Sequence, residues 1–519
     1  MRKISSPTLV AWATAAVGVI GVVSALTPEI AWRFHIVRSI LPQGWPSAAR
    51  TITLALALGL LFLARGLARR KRRAWQLAVV LAIASSITHL AKGLDFEEAA
   101  AALVIFVVLL KTRRQFVAPG DPAAMRPLLQ VVIALAVLVG LETCHAYGIP
   151  EYSDRIEDAL LILISALALR ALVLWLRPIA ERVRHVPDDR RRAEELVRER
   201  GSDSLAYFAL RRDKSTFFSA SGNSFLAYRV VGGTAIVTGD PIGDPAERSE
   251  LLAEFRRVAR AKGWRVAIAG AGEDALADYD ELGFRSIYLG DEAFVRPSQF
   301  SLDGRPIRKV RQSVTRLEKA GYRVAIVSPA DISEEDREHI RSVSAEWRGN
   351  WPERGFAMAM DALFAYHDTL VALAYAPDGT IGGFLQLVPS PACRGYSLAS
   401  MRRGKETPNG LMEFLIVETI EWAREHSVSE VSLNFSVFAE YLRADRGLFR
   451  ALLLKLDRLF QLERLNSFNR KFFPQWRRRY FCFERWTDLP VAGFAYLHAE
   501  SLLTPPGPWA ARSADLTAR

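Results

Sequence analysis

Six apolar stretches occupy roughly the first third of the chain, at about 8–26, 51–66, 74–93, 97–111, 127–147 and 158–177. A helix needs roughly 20 apolar residues to cross a hydrocarbon core about 30 Å thick, and most of these stretches approach that length. The second and the fourth are the shortest. Backbone polar groups in lipid must be satisfied within the segment itself, so such runs predict helices. The first stretch follows Arg2 and Lys3 in the manner of a secretory leader, but it carries no convincing cleavage site and more spans follow it. It reads as a retained helix. Residues 1–178 are therefore expected to form a transmembrane helical domain of six spans.

The loops set the orientation. Arg65, Arg69, Arg70, Lys71, Arg72 and Arg73 crowd one loop, and Lys111, Arg113 and Arg114 mark the next loop on the same side. The intervening loops carry Asp95, Glu97 and Glu98, then Glu151, Asp154 and Asp158. Basic loops lie inside, which puts the N-terminus and everything after residue 178 in the cytoplasm of an inner (plasma) membrane protein. The first outer loop runs against the pattern, with Arg33, Arg38 and Arg50 against Glu29. Glu142 and Arg170 lie inside apolar spans, as a lipid-headgroup or translocation site, or else as a structural pair or, for Glu142 near its helix end, by interfacial snorkelling.

Half of the 519 residues are hydrophobic and 24% are charged, with a formal net charge of +12. An apolar part is joined to a basic one, and the excess favours an anionic partner, nucleic acid or an acidic membrane surface. The three cysteines, Cys144, Cys393 and Cys482, form no CxxC pair, and the eight histidines show no metal-binding spacing. Neither a disulfide framework nor a metal site is expected.

Residues 179–200 are densely charged and predict a basic linker helix lying on an anionic leaflet. Alternation then changes to α/β. A hairpin at 224–238 turns at Gly232-Gly233, and helices near 246–262 and 273–281 flank a strand at 265–269. A second series follows: a helix at 305–320, a strand at 324–327, a helix at 333–347, a hairpin turning at Asp378-Gly379, a strand near 395–399, a helix at 411–426 and a strand at 430–435. Two α/β lobes of similar plan are predicted, over 201–300 and 301–495, with 496–519 as a flexible tail.

Two segments carry chemistry. In the helix after Pro306, Ile307, Val310, Val314 and Leu317 form a buried stripe. Arg308 and Arg311 stand on another face, which is either solvated or in contact with phosphates. In Arg470–Tyr480, five cations interleave with four aromatics and no acid. That mixture suits a phosphate backbone with stacking bases, or a lipid interface.

Several strings, in order, then carry a resemblance: Asp213-Lys214, Gly239-Asp240-Pro241-Ile242-Gly243-Asp244, Gly283-Phe284 and Gly290-Asp291-Glu292. They continue with Met401-Arg402, Asn409-Gly410 before Glu413-Phe414-Leu415, Asn434-Phe435 and Lys471-Phe472-Phe473-Pro474-Gln475-Trp476 ending at Arg479-Tyr480. Over about 280 residues the chain resembles phosphatidylglycerol lysyltransferases of the multiple peptide resistance factor type. The resemblance implies two tandem acetyltransferase-like (GNAT-like) folds, with a tunnel between a membrane side and a tRNA side. It implies transfer of an aminoacyl group, lysyl by family default, from aminoacyl-tRNA to phosphatidylglycerol. Such transfer changes membrane surface charge and resistance to cationic peptides. One ester is exchanged for another, so no cofactor is required.

The resemblance also implies roles. Arg402 and Lys471 would bind lipid phosphate or the oxyanion with support from Arg479, and Glu413 and Asp240 would hold the aminoacyl ammonium or relay a proton. Asp291, Asn409 and Asn434 fall in the substrate-binding set. Arg308, Arg311 and Arg477 are tRNA-contact candidates. At position 399 relatives carry Asp where this chain has Ala399, so Glu413 or Asp240 compensates, specificity has shifted, or activity is weakened. A lipid transporter with a regulatory soluble domain, a tRNA-binding protein without catalysis, another lipid acceptor and a homo-oligomer are all compatible with the sequence.

Overall fold

The computed structural model describes residues 6–27, 45–146, 154–181, 183, 186–437 and 462–507. The first outer loop with Arg33 and Arg38, Glu151, the side chains of Glu142, Asp154 and Asp158, and the tail beyond 507 lie outside the described residues. The chain divides into two compact units, residues 1–180 with 257–264, and 181–256 with 265–519.

In the first unit, helices stand at each expected stretch: α1 (Ser6–Leu26), α2 (Trp45–Ala68), α3 (Arg72–Gly93), α4 (Phe96–Lys111), α5 (Met125–Ala146) and α6 (Asp154–Trp175). Among the described residues, three helices are long and apolar enough to cross a membrane: Ser6–Leu26, Ala49–Ala68 and Arg72–Gly93. Small residues let them approach. A Cβ on Gly66 would lie 2.6 Å from that of Ala74. Charge enters this unit where the sequence did not flag it. Lys92 is buried, with its Nζ 2.8 Å from Asp95 and 2.7 Å from the Ser24 carbonyl. Asp95, expected as a loop acid, thus ties the ends of α1, α3 and α4. Arg170 is exposed.

The second unit is built on one sheet, where two had been expected. Its strands are β1 (Ser215–Phe218), β2 (Ser224–Val231), β3 (Thr234–Thr238), β4 (Ile242–Gly243), β5 (Arg265–Ala271), β6 (Arg285–Val295), β7 (Arg323–Val327), β8 (Leu370–Tyr375), β9 (Ile381–Ser390), β10 (Gly395–Arg403), β11 (Glu430–Val437) and β12 (Gln475–Phe483). The order is β1-β2-β3-β5-β12-β6-β11-β10-β9-β8-β7, with β4 paired to β2. The basic-aromatic segment accounts for the difference: it becomes β12, inserts antiparallel between β5 and β6, and joins the two series.

Helices cover this sheet: α7 (Pro187–Arg200), α8 (Arg248–Ala261), α9 (Leu276–Glu281), α10 (Arg308–Lys319), α11 (Glu334–Arg348), α12 (Leu411–Glu425), α13 (Leu462–Asn469) and α14 (Leu489–Ala499). The predicted stripe of Ile307, Val310, Val314 and Leu317 is buried, worth about 1.5–3 kcal/mol for each large apolar side chain. Ser333 caps α11 by accepting the Asp336 N–H at 3.1 Å. The linker helix α7 differs from expectation. Its Ala193, Leu196 and Val197 are buried in the same core as Leu205, Phe208 and Phe225, so its apolar side packs into this unit. The C-terminal boundary also moves. Helix α14 runs past 495, and Glu500 accepts the N–H groups of Phe356 and Ala357 at 2.6 and 3.0 Å.

Candidate active site

Four strands depart from regular pairing in the middle of the sheet. Ala399 is the extra residue of β10 between Leu398 and Ser400 opposite β9, and β11 carries an extra residue between Ser432 and Phe435 opposite β6. Strand β6 carries Leu289 unpaired against β12, and β5 carries Gly270. A bulge bends its strand and re-aims the neighbouring side chains. Here the bulges open the sheet onto a cavity: Ala399, Asn434 and Leu289 all line it. Asn434 adopts φ 74°, a left-handed conformation that Asn tolerates better than most residues. Its Nδ2 donates to the carbonyls of Met358 and Leu398 at 2.9 and 3.0 Å, which fixes the bulge.

This cavity measures about 760 Å³ and its walls are mostly apolar, including Ile287, Met358, Met401, Phe481, Phe494 and Leu497. Its few polar groups are distinctive. Among the described residues, the Ser400 and Ser436 hydroxyls and Arg354 Nε are buried without a hydrogen-bond partner. The Arg354 guanidinium lies 4.6 Å from the Trp351 ring centroid, and burial lowers its pKa. Buried polar atoms are nearly always satisfied, so three orphans around one apolar cavity point to a ligand with an apolar body and a polar, anionic head.

A second cavity, of about 710 Å³, is polar. Asp203, Asp240, Gly272, Arg248, Trp476 and Arg479 are among its lining. Arg479 is fully engaged: its guanidinium donates to both Asp203 oxygens at 2.6 and 3.0 Å, to Glu292 at 2.8 Å and to the Ser204 hydroxyl at 2.8 Å. Burial alone would raise the Asp203 carboxyl, but Arg479 outweighs it and holds the group below the usual carboxylate range. Asp240 behaves oppositely. Burial, then the neighbouring Asp203 charge, push it up to about 6, although the Tyr279 hydroxyl and the Gly272 N–H donate to it. Gly272 makes that approach feasible, since a Cβ there would lie 3.0 Å from Asp240 Oδ2. Hydrogen bonds through Ser204 connect the polar cavity to the strand that carries Ala399. Ser204, which accepts from Arg479, also accepts through its carbonyl from Ser397, two residues before Ala399.

The remaining predicted residues are dispersed. Arg402 is buried on β10 and grips Glu353 with two bonds of 3.1 and 2.6 Å, which holds the segment beside Arg354. Lys471 and Glu413 pair with each other at 2.7 Å, and neither Glu413 nor Asp240 lines the cavity of Ala399. Arg477 pairs with Glu430 and lies 3.8 Å over the Phe294 ring. Arg311 donates to the carbonyls of Leu302 and Gly304, Arg308 is exposed, Arg316 donates to the Asn409 carbonyl, and Asp291 is buried on β6. The acids absent from the 470–480 segment are supplied by remote strands and turns. Asp203, Glu292, Arg354, Ser400 and Ser436 went unselected; only Glu292 stood inside a recognised string. Among the described residues, no group of three His, Cys, Asp or Glu side chains is placed to share a metal ion.

Residues 194–483 match the family described as phosphatidylglycerol lysyltransferase, C-terminal. The chain belongs to the phosphatidylglycerol lysyltransferase C-terminal family. The lysylphosphatidylglycerol biosynthesis bifunctional protein LysX of Rhodococcus jostii is 33% identical over 531 residues, covering 93% of this chain and 47% of that protein. LysX of Mycobacterium marinum is 32% identical over 555 residues, covering 96% and 50%. The chain thus spans about half the length of the curated relatives it matches. Among solved structures, L-PGS from Bacillus licheniformis superposes with a TM-score of 0.54 at 26% identity, over 61% of this chain and 97% of that one. The C-terminal DUF2156 domain of an Agrobacterium fabrum protein named as a lysylphosphatidylglycerol synthetase gives the same TM-score and identity, over 60% and 97%. The matched residues hold the whole lining of the polar cavity, and that of the apolar cavity as far as Phe481.

Proposed function

We propose that this chain is an aminoacyltransferase that moves a lysyl group from lysyl-tRNA to the glycerol hydroxyl of phosphatidylglycerol. It would act at the cytoplasmic face of the inner membrane, held there by six spans and using two acetyltransferase-like halves. The observation that carries this reading is the apolar cavity with three polar groups unsatisfied among the described residues, in a chain of this family. Phosphatidylglycerol has the matching chemistry, an apolar body and an anionic diester beside hydroxyls.

In this reading Arg354 holds the lipid phosphate, and Ser400 and Ser436 donate to head-group oxygens or to the developing oxyanion. The glycerol oxygen bonds to the aminoacyl carbonyl carbon and gives up its proton. Collapse of the tetrahedral intermediate breaks the carbon–oxygen bond to ribose, whose oxygen takes up a proton. Asp240, with a carboxyl poised near 6, serves as the relay on the polar side. Arg308 and the cations rimming the polar cavity, Arg200, Arg248 and Arg478, face the tRNA phosphates. Arg402 acts as a positioning residue through Glu353.

The test is lipid analysis by thin-layer chromatography and mass spectrometry after expression in a host that lacks aminoacylated lipids. A new ninhydrin-positive derivative with the mass of lysylphosphatidylglycerol is expected. No new lipid, with membrane expression verified and charged tRNA supplied, would overturn the reading in favour of transport or tRNA binding without catalysis.

A further inference from the structure

Helix α14 and its flanks lie beyond residues 194–483, the part matched by the family, yet they build one wall of the apolar cavity. Leu489, Pro490, Gly493, Phe494, Tyr496 and Leu497 all line it. The helix, LPVAGFAYLHA, carries no Asp, Glu, Lys or Arg on any side. A surface helix of a soluble protein ordinarily turns charged residues outward. Here Ala492, Ala495, Tyr496 and Ala499 are buried, while the opposite stripe is Pro490, Phe494 and His498. Phe494 is 61% exposed and lines the cavity as well, so the exposed face runs into the cavity mouth. Trp486 before the helix is 60% exposed beside exposed Arg485, and Leu503 after it is 38% exposed. Aromatic rings next to cations, flanking an apolar helix, are the composition of a membrane–water interface.

We infer that α14, with Trp486 and Leu503, seats this unit in the head-group region of an anionic bilayer, so that lipid enters the cavity beside Phe494 without passing through water. A bilayer is favoured over a protein partner because the chain carries helices long and apolar enough to span one and a net charge of +12, and because the face continues into a cavity fitted to a lipid. The inference rests on the reading that the acceptor is a membrane lipid.

The experiment uses the full chain reconstituted in vesicles of equal phosphatidylglycerol and phosphatidylcholine. An environment-sensitive fluorophore is placed on Phe494→Cys, with Cys144 and Cys393 changed to serine and the buried Cys482 left in place. Quenching by lipids brominated near the head-group end of the acyl chain, with protection from aqueous iodide, is expected; iodide quenching without bromolipid quenching would overturn the inference. In parallel, the double variant Trp486→Asp with Leu503→Asp is expected to lower lysyl transfer to bilayer lipid by about tenfold. Transfer to short-chain phosphatidylglycerol dissolved as monomers should be unchanged. Equal loss with both acceptors, or loss with neither, would overturn it. Should the unsubstituted chain make no aminoacyl lipid from either acceptor, the functional reading fails, and the quenching result still decides where α14 sits.

Discussion

The two cavities of the second unit have similar volumes and opposite constitutions. In the polar one, the buried Arg479 has its donors met by Asp203, Glu292 and Ser204, and among the described residues only Arg248 Nε of the lining is buried without a partner. In the apolar one, Ser400, Ser436 and Arg354 Nε are buried with nothing to bond among the described residues. A buried group with all its partners present stabilises the fold, or at least does not cost it. A buried group without one costs about 1–3 kcal/mol until something supplies the bond. The first pattern is what a framework looks like, and the second is what a binding site looks like before its ligand arrives. Density of charge would have ranked the cavities the other way.

The largest expected effect breaks the framework. Arg479→Ala leaves Glu292 buried and Asp203 half-buried without their cation, and the loss should be about 3–5 kcal/mol, read from denaturant or thermal unfolding in detergent. Asp203 also gives this a pH signature. Its carboxyl is held below the ordinary value of about 3.9, so its contribution is present above that value and is lost as pH falls through the lower, folded one. An Arg479→Ala variant as stable as the parent, with an unchanged acid-unfolding profile, would contradict the comparison. Next comes Arg354→Ala. It removes the guanidinium proposed to meet the lipid phosphate, so the KM for phosphatidylglycerol should rise roughly tenfold or more with little change in stability. If stability falls as far as in Arg479→Ala while the KM stays put, Arg354 belongs to the framework.

Asp240 sharpens the comparison from the polar side, because it lines that cavity beside Asp203 without a hydrogen bond to Arg479. Its carboxyl stands near 6, raised by burial and then by Asp203. Since the folded value exceeds the unfolded one, ionising it costs the fold increasingly between about pH 4 and 6. A relay that needs the carboxylate should therefore lose activity as pH falls below about 6. Asp240→Asn should lower the plateau rate about 10²-fold or more and abolish that limb. A limb that survives in Asp240→Asn assigns it to another group.

Much of this was legible in the residues. The six apolar stretches, the hairpin at Gly232-Gly233 and the stripe from Ile307 to Leu317 follow from periodicity, which local sequence carries. The site was not, for two physical reasons. Strand β12 inserts into a sheet made elsewhere in the chain, so the acids that neutralise its cations are not local: Glu430, 47 residues away, for Arg477, and Glu292 and Asp203, 187 and 276 residues away, for Arg479. The cations therefore read as free. The apolar cavity depends on bulges at Ala399, Leu289 and Asn434, each a one-residue shift in pairing between strands. Alternation within a single strand does not reveal such a shift. Arg402 shows the limit of a motif: the resemblance singled it out, but the strand expected near 395–399 stopped short of it, and Glu353, its partner, lies in an irregular segment with no signal of its own.

The smallest effect is the most discriminating, because it should have opposite signs in two measurements. Ser436 is 1% exposed and its hydroxyl has no partner among the described residues. In the unliganded protein that hydroxyl costs stability, so Ser436→Ala should leave unfolding free energy unchanged or raise it by up to about 1 kcal/mol. With phosphatidylglycerol bound, the hydroxyl gains its bond, so the same substitution should weaken lipid affinity by a few-fold, corresponding to about 0.5–1.5 kcal/mol. A framework hydroxyl would move only stability, and downward. A hydroxyl irrelevant to both would move neither. The predicted pair, stability level or up and affinity down, arises only if the orphan is waiting for the ligand, and Ser400→Ala should repeat it on the neighbouring strand.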